Sequence, residues 1–151
     1  MKNNSFTVAV LGAGNIGSAV IERLLEVDNE VLNLSLSKVL VSDLSKERDI
    51  DGGLLTTDFD EILNDENIDL VIEVLGGVEP GKGYIKDLLE SGKSVITANK
   101  DIVADCGSEL IQIAQKNNVC LYFEAAVAAG IPVLKPLIES LRGEELTRVA
   151  G

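Results

Sequence analysis

Apolar residues in this chain follow two alternating rhythms. Short, nearly unbroken runs of Val, Ile, Leu and Ala at residues 7–11, 38–42, 70–75, 94–98 and 119–123 have the length and character of strands buried on both faces. Between them lie longer stretches, about 16–27, 80–91, 101–116 and 132–141, whose apolar positions recur at the helical period, the pattern of a helix laying one face on a core. A weaker strand at 54–57 and a helix around 58–64 fill the interval before Leu70. The breaks agree with this division. Gly76-Gly77 closes the fourth strand, Pro80 suits a helix's first turn, Gly92 suits its end, and Asn117-Asn118 interrupts the next helix.

Strands separated by helices, and apolar on both sides, predict a parallel sheet covered on both faces, because each crossover lays a helix across the sheet. The expected fold is therefore a single doubly wound α/β domain with about six strands. At 151 residues it can bury roughly 70% of the surface its unfolded chain exposes. Aromatic residues make up only 3% of the chain, so the core must be aliphatic. Residues 147–151 read as one more strand, and we expect the domain, 1–151, to lead there into a further domain that binds substrate.

The first strand breaks into Gly12-Ala13-Gly14-Asn15-Ile16-Gly17 and then into an amphipathic helix. Strand, glycine turn and helix in this order form the Rossmann-like dinucleotide fingerprint. Gly12 permits the tight turn, Gly14 lets backbone approach a pyrophosphate, and Gly17 lets helix and strand pack closely. Amides at the helix start, aided by its dipole, then face the phosphates. The expected cofactor is NAD(P).

Charge narrows the partners. Thirteen Lys and Arg against 25 Asp and Glu give a net charge of −12, which repels nucleic acid and anionic membrane and leaves an anionic cofactor to be held locally. No apolar run reaches the roughly 20 residues of a membrane helix, and the N-terminus does not resemble a secretory signal. Cys106 and Cys120 lack metal-site spacing and lie in apolar stretches, so both are expected to be buried packing residues in a cytoplasmic protein.

In such a sheet the ligand lies beyond the carboxyl ends of the strands, where strand order reverses. Asp43, after the second strand, is placed to accept hydrogen bonds from a ribose, which favours NAD; nearby Lys46 and Arg48 suit a 2′-phosphate, which favours NADP. The choice between them stays open, with Arg48 read as part of a solvated turn. Gly76 and Gly77 would let the chain pass close to the cofactor. Thr97, Asn99 and Lys100 bring a hydroxyl, an amide and an ammonium to the fifth strand end. Hydride transfer to a carbonyl leaves an alkoxide, and Lys100 can protonate it or steady its charge. The alternative, a solvated lysine at a helix start, is disfavoured by the helix dipole. Glu124, the one carboxylate in a small and apolar bend, must be hydrogen-bonded, near a cation or close to substrate.

Taken together, the glycine loop, Ile72-Glu73-Val74-Leu75-Gly76-Gly77-Val78-Glu79-Pro80, Thr97-Ala98-Asn99-Lys100 and Phe123-Glu124-Ala125-Ala126-Val127 closely resemble the N-terminal NAD(P)-binding domain of homoserine dehydrogenases, nearly end to end. The resemblance implies reversible, NAD(P)-linked interconversion of L-homoserine and L-aspartate 4-semialdehyde, in threonine and methionine biosynthesis. It makes Lys100 one of two active-site lysines; the other, with the acidic residues that grip substrate, belongs to a catalytic domain outside this chain. It also implies a sodium ion held by the backbone carbonyls of Glu124, Val127, Ala129 and Ile131, with Ala129 where the family commonly has glycine. Homo-oligomer formation is implied too, mainly through the missing part. Two alternatives remain at this point: the cofactor domain of another amino-acid or sugar dehydrogenase, and a nucleotide-sensing module without catalysis.

Overall fold

The computed structural model describes residues 6–26, 33–128, 130–140 and 148. Six strands form one sheet: β1 (Phe6–Leu11), β2 (Leu34–Leu40), β3 (Leu55–Thr56), β4 (Leu70–Glu73), β5 (Ser94–Thr97) and β6 (Leu121–Tyr122). Their order is β3-β2-β1-β4-β5-β6, and every pairing is parallel. The order reverses between β1 and β4, so the predicted doubly wound architecture is present with its crevice at those strand ends.

The helices are α1 (Asn15–Glu26), α2 (Asp60–Leu63), α3 (Gly81–Glu90) and α4 (Lys100–Lys116). Side chains alternate across β1 because successive residues point to opposite faces. Ala9 and Leu11 join Val71 and Val95 in packing against Ile85, Leu88 and Leu89 of α3 and Ile102 and Leu110 of α4. Val10 turns the other way, onto Val39, Val41 and Ile21 of α1. From Val8 to Leu11 the central strand has no exposed surface, and its burial anchors the glycine turn that follows.

Several boundaries differ from expectation, each for a local reason. β2 begins at Leu34 rather than near Lys38, because Leu-Ser-Leu-Ser is the alternation of a half-buried strand. Its pairing with β1 passes from Leu36 to Lys38, leaving Ser37 as an extra residue in a bulge. β4 stops at Glu73 because that residue's own carboxylate takes the Leu75 amide. α3 starts at Gly81, with Pro80 at its cap position. α4 carries a non-helical residue at Cys106 (φ −141°, ψ 16°), a kink the sequence does not announce. Cys106 is buried as expected, whereas Cys120 is exposed, since it enters β6, an edge strand paired only with β5.

The last helix is a short turn at 134–135 continuing as a π-helical turn, Pro136–Ser140. Residue 141 of the predicted final helix, Val27 of the first, and residues 147–151 apart from Arg148 lie outside the described residues. Among the described residues no helix is long and apolar enough to cross a membrane.

Candidate functional site

The glycine turn is built as its spacing demands. Gly12 has φ +103°, a conformation that costs glycine little and other residues much. A β-carbon on Gly17 would fall 2.0 Å from the Gly12 carbonyl oxygen, so α1 can rest on the turn only through a bare Cα. Around Gly14, by contrast, a β-carbon would meet nothing within 4 Å. That open space faces a cleft of about 540 Å³ lined by Gly12, Ala13, Gly14, Asp43, Lys46 and Gly76 among the residues expected to hold cofactor. Segments distant in sequence, from the ends of β1, β2 and β4, thus converge at the sheet's switch point.

The far wall of the cleft is formed by Thr57, Pro80 and Tyr84. Tyr84 is stacked on Phe59, with ring centroids 3.9 Å apart and an interplanar angle of 17°, an arrangement that fixes its ring. Thr57 and Tyr84 carry no site signature in the sequence, where Pro80 reads as a helix start; the stacking of Tyr84 on Phe59 holds its ring at the cleft. Asn15 and Lys46 also line an adjoining hollow beside α1, and Ile16 is 59% exposed.

The turn after β2 is tightly braced. Asp43 Oδ1 accepts from the Ser45 amide at 2.8 Å and from the Ser45 hydroxyl at 2.7 Å. The Ser45 hydroxyl, with the positive charges of Arg48 and Lys46 assisting, holds the Asp43 carboxyl below its ordinary pKa. Arg48 is half-buried rather than freely solvated. Its Nη1 donates to the carbonyls of Asp43 (2.7 Å) and Lys46 (3.0 Å), and its buried Nε has no partner among the described residues.

At the β4 and β5 ends the structure shows what the side chains of two expected cofactor residues touch. Thr97 has no exposed surface; its hydroxyl donates to Glu73 Oε2 and accepts from the Asn99 amide at 3.0 Å. Asn99 Oδ1 caps α4, accepting from Asp101 N (3.2 Å) and Ile102 N (3.3 Å), while Nδ2 donates to the carbonyls of Gly77 (2.6 Å) and Leu75 (3.2 Å). Both side chains hydrogen-bond within the protein and brace the turn beneath the cleft. Gly77 takes φ +78° in the turn they hold. Lys100 is the first helical residue of α4, its side chain 78% exposed and 3.4 Å from Asp101, which offsets an ammonium placed at a helix start.

Glu73 is not singled out in the sequence, yet it lies at the centre of these hydrogen bonds. It is the one carboxylate in an apolar strand, and it is completely buried. Burial, set against the hydrogen bonds it accepts, pushes its pKa above the usual range.

Glu124 resolves among its alternatives. Oε1 accepts from the amides of Val133 (2.7 Å) and Leu134 (2.9 Å) and Oε2 from Lys135 (3.1 Å), so the carboxylate caps the following helical turn. In the bend, the Glu124 carbonyl accepts from Val127 N and Ala128 has φ +55°; Ile131 is described and exposed, while Ala129 lies outside the described residues.

Strand order, glycine turn and cleft define a dinucleotide-binding domain. The chain belongs to a particular family: the profile described as "Homoserine dehydrogenase, NAD binding domain" matches residues 12–124. The homoserine dehydrogenases of Bacillus subtilis and Mycobacterium tuberculosis are 42% and 46% identical to it, over 95% of this chain and 35% and 34% of their own lengths. A solved homoserine dehydrogenase from Thiobacillus denitrificans superposes with a TM-score of 0.82 at 36% identity, over 92% of this chain and 34% of that one. The chain thus spans about a third of the length of the relatives it matches.

Proposed function

We propose that this domain holds NAD(P) for the oxidoreductase that interconverts L-homoserine and L-aspartate 4-semialdehyde. The observation that carries the reading is the cleft at the switch point, lined by the glycine turn at the start of α1, where the space a Gly14 β-carbon would take is open. When bound there, the nicotinamide supplies or accepts the hydride. The Gly12–Gly17 turn would hold the pyrophosphate, and the Asp43 turn with Thr57, Pro80 and Tyr84 would hold the adenosine. Gly76 and Gly77 let the chain pass the cofactor without side-chain obstruction.

Lys100 is the group at hand for the proton. It delivers a proton to the carbonyl oxygen as the carbon takes hydride, and removes it from the hydroxyl in the reverse direction. Its exposure leaves the side chain free to turn toward a substrate brought by the remaining two thirds of the full protein. That region would supply the second lysine and the acidic grip on the substrate's amino group.

The second phosphate is read at the Asp43–Arg48 turn. Asp43 Oδ2, free of partners among the described residues, suits a ribose diol; Lys46 and the guanidinium of Arg48 suit a 2′-phosphate, so the turn favours tolerance of both NAD and NADP. A sodium ion held by the carbonyls of Glu124, Val127, Ala129 and Ile131 is proposed from the resemblance, the Glu124 carboxylate itself being occupied with capping. Homo-oligomer formation rests on the same resemblance, and a cytoplasmic setting on the two cysteines without metal-site spacing and the N-terminus unlike a secretory signal.

The test is to compare this chain with the full-length protein. The chain alone should bind NAD(P)H without oxidising homoserine, and the full-length protein should turn it over. Turnover by the isolated chain at the full-length rate, or none by the full-length protein, would refute the assignment.

A further inference from the structure

We propose that Glu73 is a positioning residue for the cofactor end of the site. Its carboxylate closes a ring of hydrogen bonds that holds the Leu75–Gly77 turn against the Asn99–Lys100 start of α4. The inference rests on the reading that this cleft binds NAD(P).

The ring can be followed atom by atom. Glu73 Oε1 accepts from Leu75 N at 2.8 Å, and Oε2 accepts from the Thr97 hydroxyl. The same hydroxyl accepts from Asn99 N at 3.0 Å. Asn99 Nδ2 then returns to the Leu75 carbonyl at 3.2 Å and reaches the Gly77 carbonyl at 2.6 Å, closing the circuit. Asn99 Oδ1 extends it to the first amides of α4, beside Lys100. Leu75 and Gly76 line the cofactor cleft. One buried carboxylate therefore stands behind both the cofactor turn and the helix that carries the proposed proton donor.

A strand end in an aliphatic core has no need of a carboxylate, and burying one is costly unless its oxygens are used. Among the described residues no lysine or arginine pairs with Glu73, so its retention rests on neutral donors. The surroundings are fitted to it. A β-carbon on Gly81, the first residue of α3, would stand 3.3 Å from Glu73 Oε1 and 2.9 Å from Ile102 Cδ1, so α3 starts packed between this carboxyl and the first turn of α4. With its neighbours this close, changing the acceptor displaces the turn rather than being absorbed by slack.

The experiment compares the wild-type chain with Glu73→Gln, Thr97→Val and the double variant at one pH near neutrality. NADPH affinity is read by fluorescence titration, and the amide resonances of Gly76 and Gly77 and the Asn99 side-chain amide by ¹H–¹⁵N spectroscopy. Glu73→Gln keeps the size but only one acceptor, and Thr97→Val removes the link. Each should weaken NADPH binding by about tenfold and shift the Gly76, Gly77 and Asn99 signals. The double variant should be no weaker than the worse single one, because both cut one circuit.

Folded variants that bind NADPH within twofold of wild type, with those resonances in place, would overturn the proposal even if they melt earlier. If Glu73→Gln fails to fold, Thr97→Val carries the same test. Absence of NADPH binding by the wild-type chain would instead strike the cofactor reading. The resonances then decide the ring: shifts in both variants support it and unchanged signals overturn it.

Discussion

Gly17 lies so close against Gly12 that a β-carbon on the first would fall 2.0 Å from the carbonyl oxygen of the second. The contact seats the start of α1 directly on the turn. Gly14, three residues earlier, has nothing within 4 Å of the same position. The two glycines therefore predict opposite phenotypes. Gly17→Ala collides with backbone and should destabilise the domain by about 3 kcal/mol or more. Gly14→Ala should change stability by about 1 kcal/mol at most, yet weaken NAD(P)H binding by about tenfold, because the methyl enters cofactor space. Chemical denaturation and cofactor titration of both variants check the pair; equal stability losses would contradict it.

The buried carboxylate of Glu73 gives the domain a distinctive pH dependence. Burial raises its pKa in the folded state above the ordinary 4.5, so between those two values the folded chain retains a proton the unfolded chain has released. Stability contributed by that proton is complete below pH 4.5 and is lost as pH rises through the folded-state pKa, about 1.4 kcal/mol for each pH unit of the window. Asp43, Glu61 and Asp65 have lowered pKa values and slope the other way as acid protonates them. These are common to wild type and variant and cancel in a difference. The stability of wild type relative to Glu73→Gln should thus be greatest in acid and decline as pH rises above about 4.5. A flat difference between pH 4 and 8 would show that Glu73 is not perturbed.

What the sequence made legible follows physical range. The glycine turn was readable because its constraint is local: turn, phosphate approach and helix contact all fall within six residues. Parallel strands were readable as apolar runs, and Asn118, which breaks α4 with φ +55°, did so through the left-handed preference of asparagine. Glu73 could be seen only as an odd carboxylate, since the partner that explains it, Thr97, is 24 residues away. Thr97 and Asn99 drew attention as polar groups at a strand end, but whether such groups face ligand or brace backbone is decided by packing. The Leu-Ser alternation that opens β2 belongs to a half-buried strand yet resembles a loop, and the Cys106 kink has no local sequence signal.

Cofactor selectivity should divide along the Asp43–Arg48 turn. Lys46 is exposed, so Lys46→Ala should weaken NADPH by about three- to tenfold and leave NADH within twofold. Asp43→Ala should do the reverse, weakening NADH more than NADPH. Parallel titrations with both cofactors at fixed salt check this, since a phosphate contact weakens as salt rises. Equal losses for the two cofactors in both variants would remove this turn as the discriminator.

Lys100 separates catalysis from stability with unusual clarity, its side chain being 78% exposed and its partner Asp101 53%. In the full-length protein Lys100→Ala should lower kcat by about 100-fold while changing folding stability by no more than about 0.5 kcal/mol. Cofactor affinity should stay within a few fold. Steady-state kinetics with a melting curve on the same preparation measure all of these. An unchanged kcat would return Lys100 to the role of a solvated helix-start residue.

The central claim, that this domain seats NAD(P) in the cleft between the Gly12–Gly17 turn and the Gly76–Gly77 turn, is tested most directly by titrating the chain with NADPH and following backbone amide resonances. Saturable binding, with a dissociation constant between about 1 μM and 1 mM, should perturb the amides of Gly12, Gly14, Asp43 and Gly76 together and leave those of Lys93 and Asn118, at the opposite end of the sheet, in place. No saturable binding, or perturbations gathered at that opposite end, would contradict it.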